Sequence, residues 1–118
     1  MANNVFNSIV GTALADGYGV LGLNVFDELT LRTAVEAAES QGASLIVQTS
    51  VKTVRSIGSR VLFAMWTSMT AGIEVPVSLH LDHCPDRDVI TECLEILQPF
   101  LAHAVGELRG TPATPRAR

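Results

Sequence analysis

A chain of 118 residues, 47% hydrophobic and 17% charged, is long enough for one small domain with a buried core and too apolar for a disordered segment. The formal net charge of -4 gives no electrostatic reason to expect nucleic acid or an acidic membrane surface as partner. No apolar run reaches the roughly 18 to 20 residues of a membrane span, and no basic residue precedes Arg32, so the start does not read as a secretory signal and a cytoplasmic protein is expected.

The charge is unevenly spread. Residues 1–95 carry five basic and eleven acidic side chains, whereas 96–118 carry three Arg and one Glu, so the sign reverses along the chain. The end, Gly110-Thr111-Pro112-Ala113-Thr114-Pro115-Arg116-Ala117-Arg118, has the composition of an unstructured tail. Cys84 and Cys93 make neither a zinc-knuckle spacing nor a disulfide framework and are expected as free thiols.

In chain order, Asn3 or Asn4 can cap a first helix running to about Ala15, with Val5, Ile9, Val10, Ala13 and Leu14 near a 3.6-residue period. Asp16-Gly17 ends it, and Tyr18 to Asn24 is a first strand bounded by turn residues. Asp27 can cap a second helix that runs through Leu31, Ala34, Val35 and Ala38 to Gly42. Ser44 to Thr49 is a second strand, apolar at Leu45, Ile46 and Val47 as suits a parallel strand covered on both faces. Lys52 to Ala71 is helical but broken at Gly58, with Ser59 as the cap of its longer part. There Val61, Leu62, Met65, Trp66 and Met69 form an apolar stripe that reads as core rather than as a cofactor box. Gly72 closes this helix and Pro76 opens a third strand, Val75 to Asp82. Pro85 then stops the ladder, and Asp86 can cap a last helix to about Leu97. Strands alternating with helices predict an α/β fold with a parallel sheet.

The third strand carries the chemistry. Ser78, His80 and Asp82 share one face of it, Leu79 and Leu81 the other, and His83 falls where the strand ends. Asp82 and His83 are therefore expected on the carboxyl-terminal rim, where parallel α/β folds keep their reactive groups. Asn24, Gln48 and Ser50 are polar groups at the ends of successive strands, able either to hydrogen-bond a polyhydroxylated ligand or simply to cap the next turn.

His80-Leu81-Asp82-His83 following Val75-Pro76-Val77 resembles the signature of the class II, zinc-dependent ketose-bisphosphate aldolases, the family of fructose- and tagatose-bisphosphate aldolases. The resemblance covers roughly residues 1–95. It takes in Gly17-Tyr18-Gly19-Val20 leading to Leu23-Asn24, then Ala34-Val35-Glu36-Ala37-Ala38-Glu39, then Ile46-Val47-Gln48-Thr49-Ser50. It implies the N-terminal part of a (β/α)8 TIM barrel, about three βα units, since a whole barrel takes about 250 residues. It also implies a divergent, partly disordered tail from 96 to 118.

The activity implied is zinc-dependent, reversible aldol cleavage of a ketose 1,6-bisphosphate to dihydroxyacetone phosphate and an aldehyde phosphate, a lyase reaction of carbohydrate metabolism and glycolysis. By the same resemblance Asp82 is the catalytic proton-transfer group, His83 a zinc ligand, and Asn24 and Ser50 substrate-binding positions. His80 reads as an orienting group rather than a ligand. Asp27 stands where many members have Asn. The other zinc ligands of the family come from later strands, and no motif surrounds His103, so the chain alone is expected to be an incomplete and inactive site. The loss of similarity after Glu95 suggests a truncated or frame-shifted product. A sugar bisphosphate is the implied partner, with a homo-oligomer of the family's kind as a further one. The competing reading is a non-catalytic α/β module that folds only by pairing its sheet edge with another chain.

Overall fold

The computed structural model describes residues 5–96. Helix α1, Val5–Asp16, buries Ile9 and Ala13, one turn apart on one side. Its expected caps Asn3 and Asn4 lie outside the described residues, as do Leu97, His103 and the tail. Strand β1 is Leu21–Asn24, three residues shorter at its start than the apolar run from Tyr18 predicts. The backbone N–H groups of Gly17 and Tyr18 both donate to the Ala13 carbonyl, at 2.9 and 3.1 Å, so they terminate α1 and cannot join a ladder.

Asp27 caps α2, Glu28–Gln41, in a reciprocal box. The Thr30 N–H donates to Asp27 Oδ1 at 2.9 Å, and the Asp27 N–H donates back to Thr30 Oγ1 at 3.1 Å. The helix ends at Gly42, which takes a left-handed φ of 60°. Strand β2 is Leu45–Thr49. Two helices follow, α3 (Val51–Ile57) and α4 (Ser59–Thr70), separated by Gly58 at φ 90°. Ser59 does not cap α4. It is the first helical residue, and its buried hydroxyl donates instead to Glu92, tying α4 to the helix at residues 87–96, α5. Strand β3, Val77–Leu81, lies between α4 and α5 in the chain.

The three strands are parallel and ordered β1-β2-β3. Leu21, Leu45 and Val77 stand in one register row, and Asn24, Gln48 and His80 in another. Period-two alternation sends Leu45 and Val47 to one face, where α2 covers them with Leu31, Ala34, Val35 and Ala38, and Met65, Trp66 and Met69 of α4 pack against the same cluster. Full burial of Leu31 and of Val47 is worth about 1.5–3 kcal/mol each. Val61 is exposed, so the stripe on α4 is narrower than its sequence predicts. A second cluster, Val54, Leu62 and Val89 with Leu81, Cys84 and Cys93 against it, joins α3, α4 and α5 to the end of β3.

The opposite face carries Gly22, Asn24, Ile46, Gln48, Ser78 and His80. Helix α1 reaches this side, where the Phe6 ring lies 6.1 Å from that of His80. The arrangement is consistent with the N-terminal part of a (β/α)8 barrel. No described helix is long and apolar enough to cross a membrane.

Candidate functional site

Because the strands are parallel, their carboxyl ends share one edge of the sheet, and the loops leaving that edge hold most of the candidate side chains. The ladder does not stop cleanly at β3: the Asp82 N–H donates to the Thr49 carbonyl at 2.8 Å, which brings the loop after β3 beside the start of α3. Asp86 fixes the loop's other end. Its Oδ1 accepts from the N–H of Asp88 at 2.9 Å and of Val89 at 3.4 Å, capping α5, while its Oδ2 pairs with Arg55 of α3. Cys84 Sγ donates to the Asp86 carbonyl at 3.4 Å.

Asp82 and His83 therefore sit in a short span anchored on both sides. The Asp82 side chain is 27% exposed and that of His83 is 93% exposed, with His83 Nε2 3.8 Å from Asp82 Oδ1. This separation permits electrostatic attraction without a direct hydrogen bond. His83 has φ 47° and is the only described non-glycine residue with positive φ. Such a conformation in a residue with a Cβ is strained and tends to mark functional positions.

An open groove runs between this loop and the start of α3, lined by Ser50, Val51, Lys52, Arg55, Asp82, His83, Pro85, Asp86 and Arg87. Ser50 is thus brought to Asp82 and His83. Its hydroxyl is also a helix cap, accepting from the Thr53 N–H at 3.3 Å and lying 3.3 Å from Thr53 Oγ1. Asn24 does not line this groove. It stands on β1 in register with Gln48 and, beyond that, with His80, two strand spacings from β3 or roughly 10 Å. Strand-end position alone predicts all four residues close together; the structure separates Asn24 from the other three because the groove opens on the far side of β2.

Lys52, Arg55 and Arg87 also line the groove and were not singled out in the sequence. Arg55 and Asp86 are 31 positions apart, and no local pattern signals such a contact. Among ionisable groups of the neighbourhood, Cys93 is perturbed: burial, then the Glu92 carboxylate and Cys84 beside it, push its thiol above the ordinary value. Both cysteines are free, as expected.

A catalytic zinc takes three protein ligands and keeps a position open for substrate. Among the described residues no three His, Cys, Asp or Glu side chains converge to hold a metal ion. The groove offers one imidazole, His83, with one carboxylate near it, so these residues do not fit a complete zinc centre.

Residues 4–106 match the family of class-II fructose-bisphosphate aldolases, a match that runs past Glu95, where the sequence resemblance was expected to end. The chain is 29% identical over 89 residues to a sulfofructosephosphate aldolase of Alkalicoccus urumqiensis, an alignment covering 75% of this chain and 31% of that protein. It is 33% identical over 90 residues to the fructose-bisphosphate aldolase of Streptococcus pyogenes serotype M1, covering 74% and 30%. With that of Streptococcus pneumoniae serotype 4 it shares 34% over 91 residues, again 74% and 30%. The chain spans about three tenths of the length of these relatives. With the matched segment taking in the whole described fold and the Asp82-His83 loop, the chain belongs to the class-II fructose-bisphosphate aldolase family.

Proposed function

We propose that this chain carries the N-terminal share of an aldolase site for a ketose 1,6-bisphosphate, with Asp82 as the proton-transfer group and His83 as one metal-binding imidazole. The observation that carries the reading is the groove that joins Asp82 and His83 to Ser50, with the cationic Lys52 and Arg87 along its wall. A phosphorylated polyol is the kind of ligand such a wall suits, since the cations answer its phosphate charge and the hydroxyl answers its oxygens.

In aldol cleavage a base removes a hydroxyl proton, the adjacent carbon–carbon bond breaks, and the electron pair passes to the ketone-bearing half, which is protonated to dihydroxyacetone phosphate. Asp82, partly shielded at the groove wall, would take that proton. Ser50, and Asn24 from the row further along the sheet, would hold substrate oxygens. Zinc is the ion the family calls for, and His83 the described side chain it would take. Two further protein ligands would have to come from outside the described residues, and a closed barrel would be needed to bring them.

The test is a chimera in which residues 1–95 replace the matching segment of the Streptococcus pneumoniae enzyme. Turnover of fructose 1,6-bisphosphate in a coupled assay is expected, with Asp82→Ala lowering kcat by about 10²- to 10⁴-fold and His83→Ala losing zinc on dialysis. A chimera whose turnover survives Asp82→Ala would remove Asp82 from the chemistry. The 118-residue chain by itself is expected to hold zinc weakly and to show no turnover. Zinc retained near one per chain after dialysis would mean that ligands beyond the described residues complete the centre.

A second reading has its own support, the exposed apolar edge of β1: a non-catalytic module that folds by association with another chain. A stable oligomer in which His83→Ala changes neither zinc content nor assembly would favour it.

A further inference from the structure

We propose that Gln48 is a positioning residue that holds His80 as the neutral tautomer with its proton on Nε2, so that the ring offers a hydrogen-bond donor on the same register row as Asn24. The donor's service to a substrate oxygen rests on the aldolase reading above; the tautomer does not.

Asn24, Gln48 and His80 are register partners across β1, β2 and β3, so their side chains leave the sheet on one face. Gln48, in the middle, turns towards both neighbours. Its Nε2 lies 3.4 Å from His80 Nδ1. On the other side its amide oxygen lies 3.0 Å, and the amide carbon 3.2 Å, from where a Cβ on residue 22 would stand, and residue 22 is glycine. The missing Cβ is therefore what lets the amide lie over β1. A side-chain NH₂ can only donate, so the nitrogen it meets must be the unprotonated one, which leaves the ring proton on Nε2. The Phe6 ring, tilted by 48° to the imidazole, bounds the same ring from α1. His80 is exposed yet touched by two side chains from other elements, and holding three side chains in one arrangement costs rotamer freedom. An exposed imidazole with no orienting task would not need either contact. The opposite amide orientation would put an acceptor against Nδ1 and force the proton there, so the two arrangements predict opposite tautomers.

The test uses the 118-residue chain with ¹⁵N-labelled histidine, its His80 signals assigned by their loss in His80→Asn, and long-range ¹H–¹⁵N spectra recorded at alkaline pH. The expected result is a single tautomer, with Nδ1 at the downfield position of a lone-pair nitrogen and Nε2 at the upfield position of a protonated one. Gln48→Glu, which keeps the length but offers only acceptors, is expected to move the proton to Nδ1. Gln48→Leu and Gly22→Ala, the second acting by displacing the amide without altering either polar partner, are expected to return the ring to the tautomer mixture of free histidine. A wild-type ring with that mixture, or with its proton on Nδ1, overturns the proposal, and so does a wild-type tautomer that both Gln48→Leu and Gly22→Ala leave unchanged. The spectra need neither substrate nor turnover, so a failed aldolase assay and a failed tautomer assignment remain separate results.

Discussion

At His83 the backbone takes a left-handed φ of 47°, a conformation that costs a residue with a Cβ roughly 1–2 kcal/mol and a glycine almost nothing. The imidazole itself is 93% exposed, so burial does not repay that cost. His83→Gly is accordingly expected to be more stable than His83→Ala by about 1 kcal/mol in urea unfolding, while both lose the imidazole. Equal midpoints would show that the loop relaxes freely and that His83 is held there without strain. Asp27 offers a second residue-scale test. Its hydrogen bonds from the Thr30 backbone and then the Thr30 hydroxyl lower the folded carboxyl below its ordinary value. The depressed group stabilises the fold at neutral pH, and that contribution fades as pH falls from the ordinary carboxylate range through the lowered folded value. Asp27→Asn should keep a cap but flatten this part of the acid limb, and Asp27→Ala should lose the cap at every pH, both read from thermal midpoints between acidic and neutral buffer. An unchanged acid limb in Asp27→Asn would mean the carboxyl charge contributes nothing. The Asp27 cap and the position of Asp82 and His83 at the end of β3 were legible from residue type and place. The Gln48 contact with His80 was not, because it depends on register and on a glycine one strand away.

The elements follow the same division between local and distant causes. Gly42 was legible as a stop, and the structure gives its reason: φ 60°, with its N–H donating to the carbonyls of Ala38 and Glu39. No atom lies within 4 Å of where a Cβ on Gly42 would be, so the cost of Gly42→Ala is conformational alone, and a loss of about 1 kcal/mol is expected in denaturant unfolding. A neutral Gly42→Ala would indicate that α2 simply ends a residue earlier. Where sequence reading and structure part, a longer-range partner has taken the group concerned. Tyr18 has strand composition, but its N–H closes α1 on Ala13. Ser59 has cap chemistry, but Glu92, 33 positions away, takes its hydroxyl. Periodicity assigned the stripe on α4 correctly at Leu62 and over-extended it at Val61, because a stripe's width depends on how closely the neighbouring helix approaches.

At the scale of the whole molecule, the order and direction of the three strands were legible from alternation of apolar runs with helices, while the sheet's outer edges became visible only in the structure. Among the described residues, strands β1 and β3 each pair on one side alone. Native sheets blunt such edges with charge, proline or bulges. The sequence of β1, Leu-Gly-Leu-Asn, has none of these, and beside it Leu21 is 62%, Phe26 64% and Leu29 61% exposed. Exposed apolar side chains at both ends of a strand with unpaired backbone donors and acceptors are the combination that recruits another strand or another apolar surface. The described chain is therefore expected to self-associate as its concentration rises. Leu21→Lys places a charge on the edge strand at a position already facing water, so it should suppress association without removing any buried contact. Sedimentation velocity over a range of concentrations separates the outcomes. A wild-type chain that stays monomeric throughout would mean that residues beyond 5–96 cover this edge; association that Leu21→Lys leaves intact would move the contact to the β3 edge.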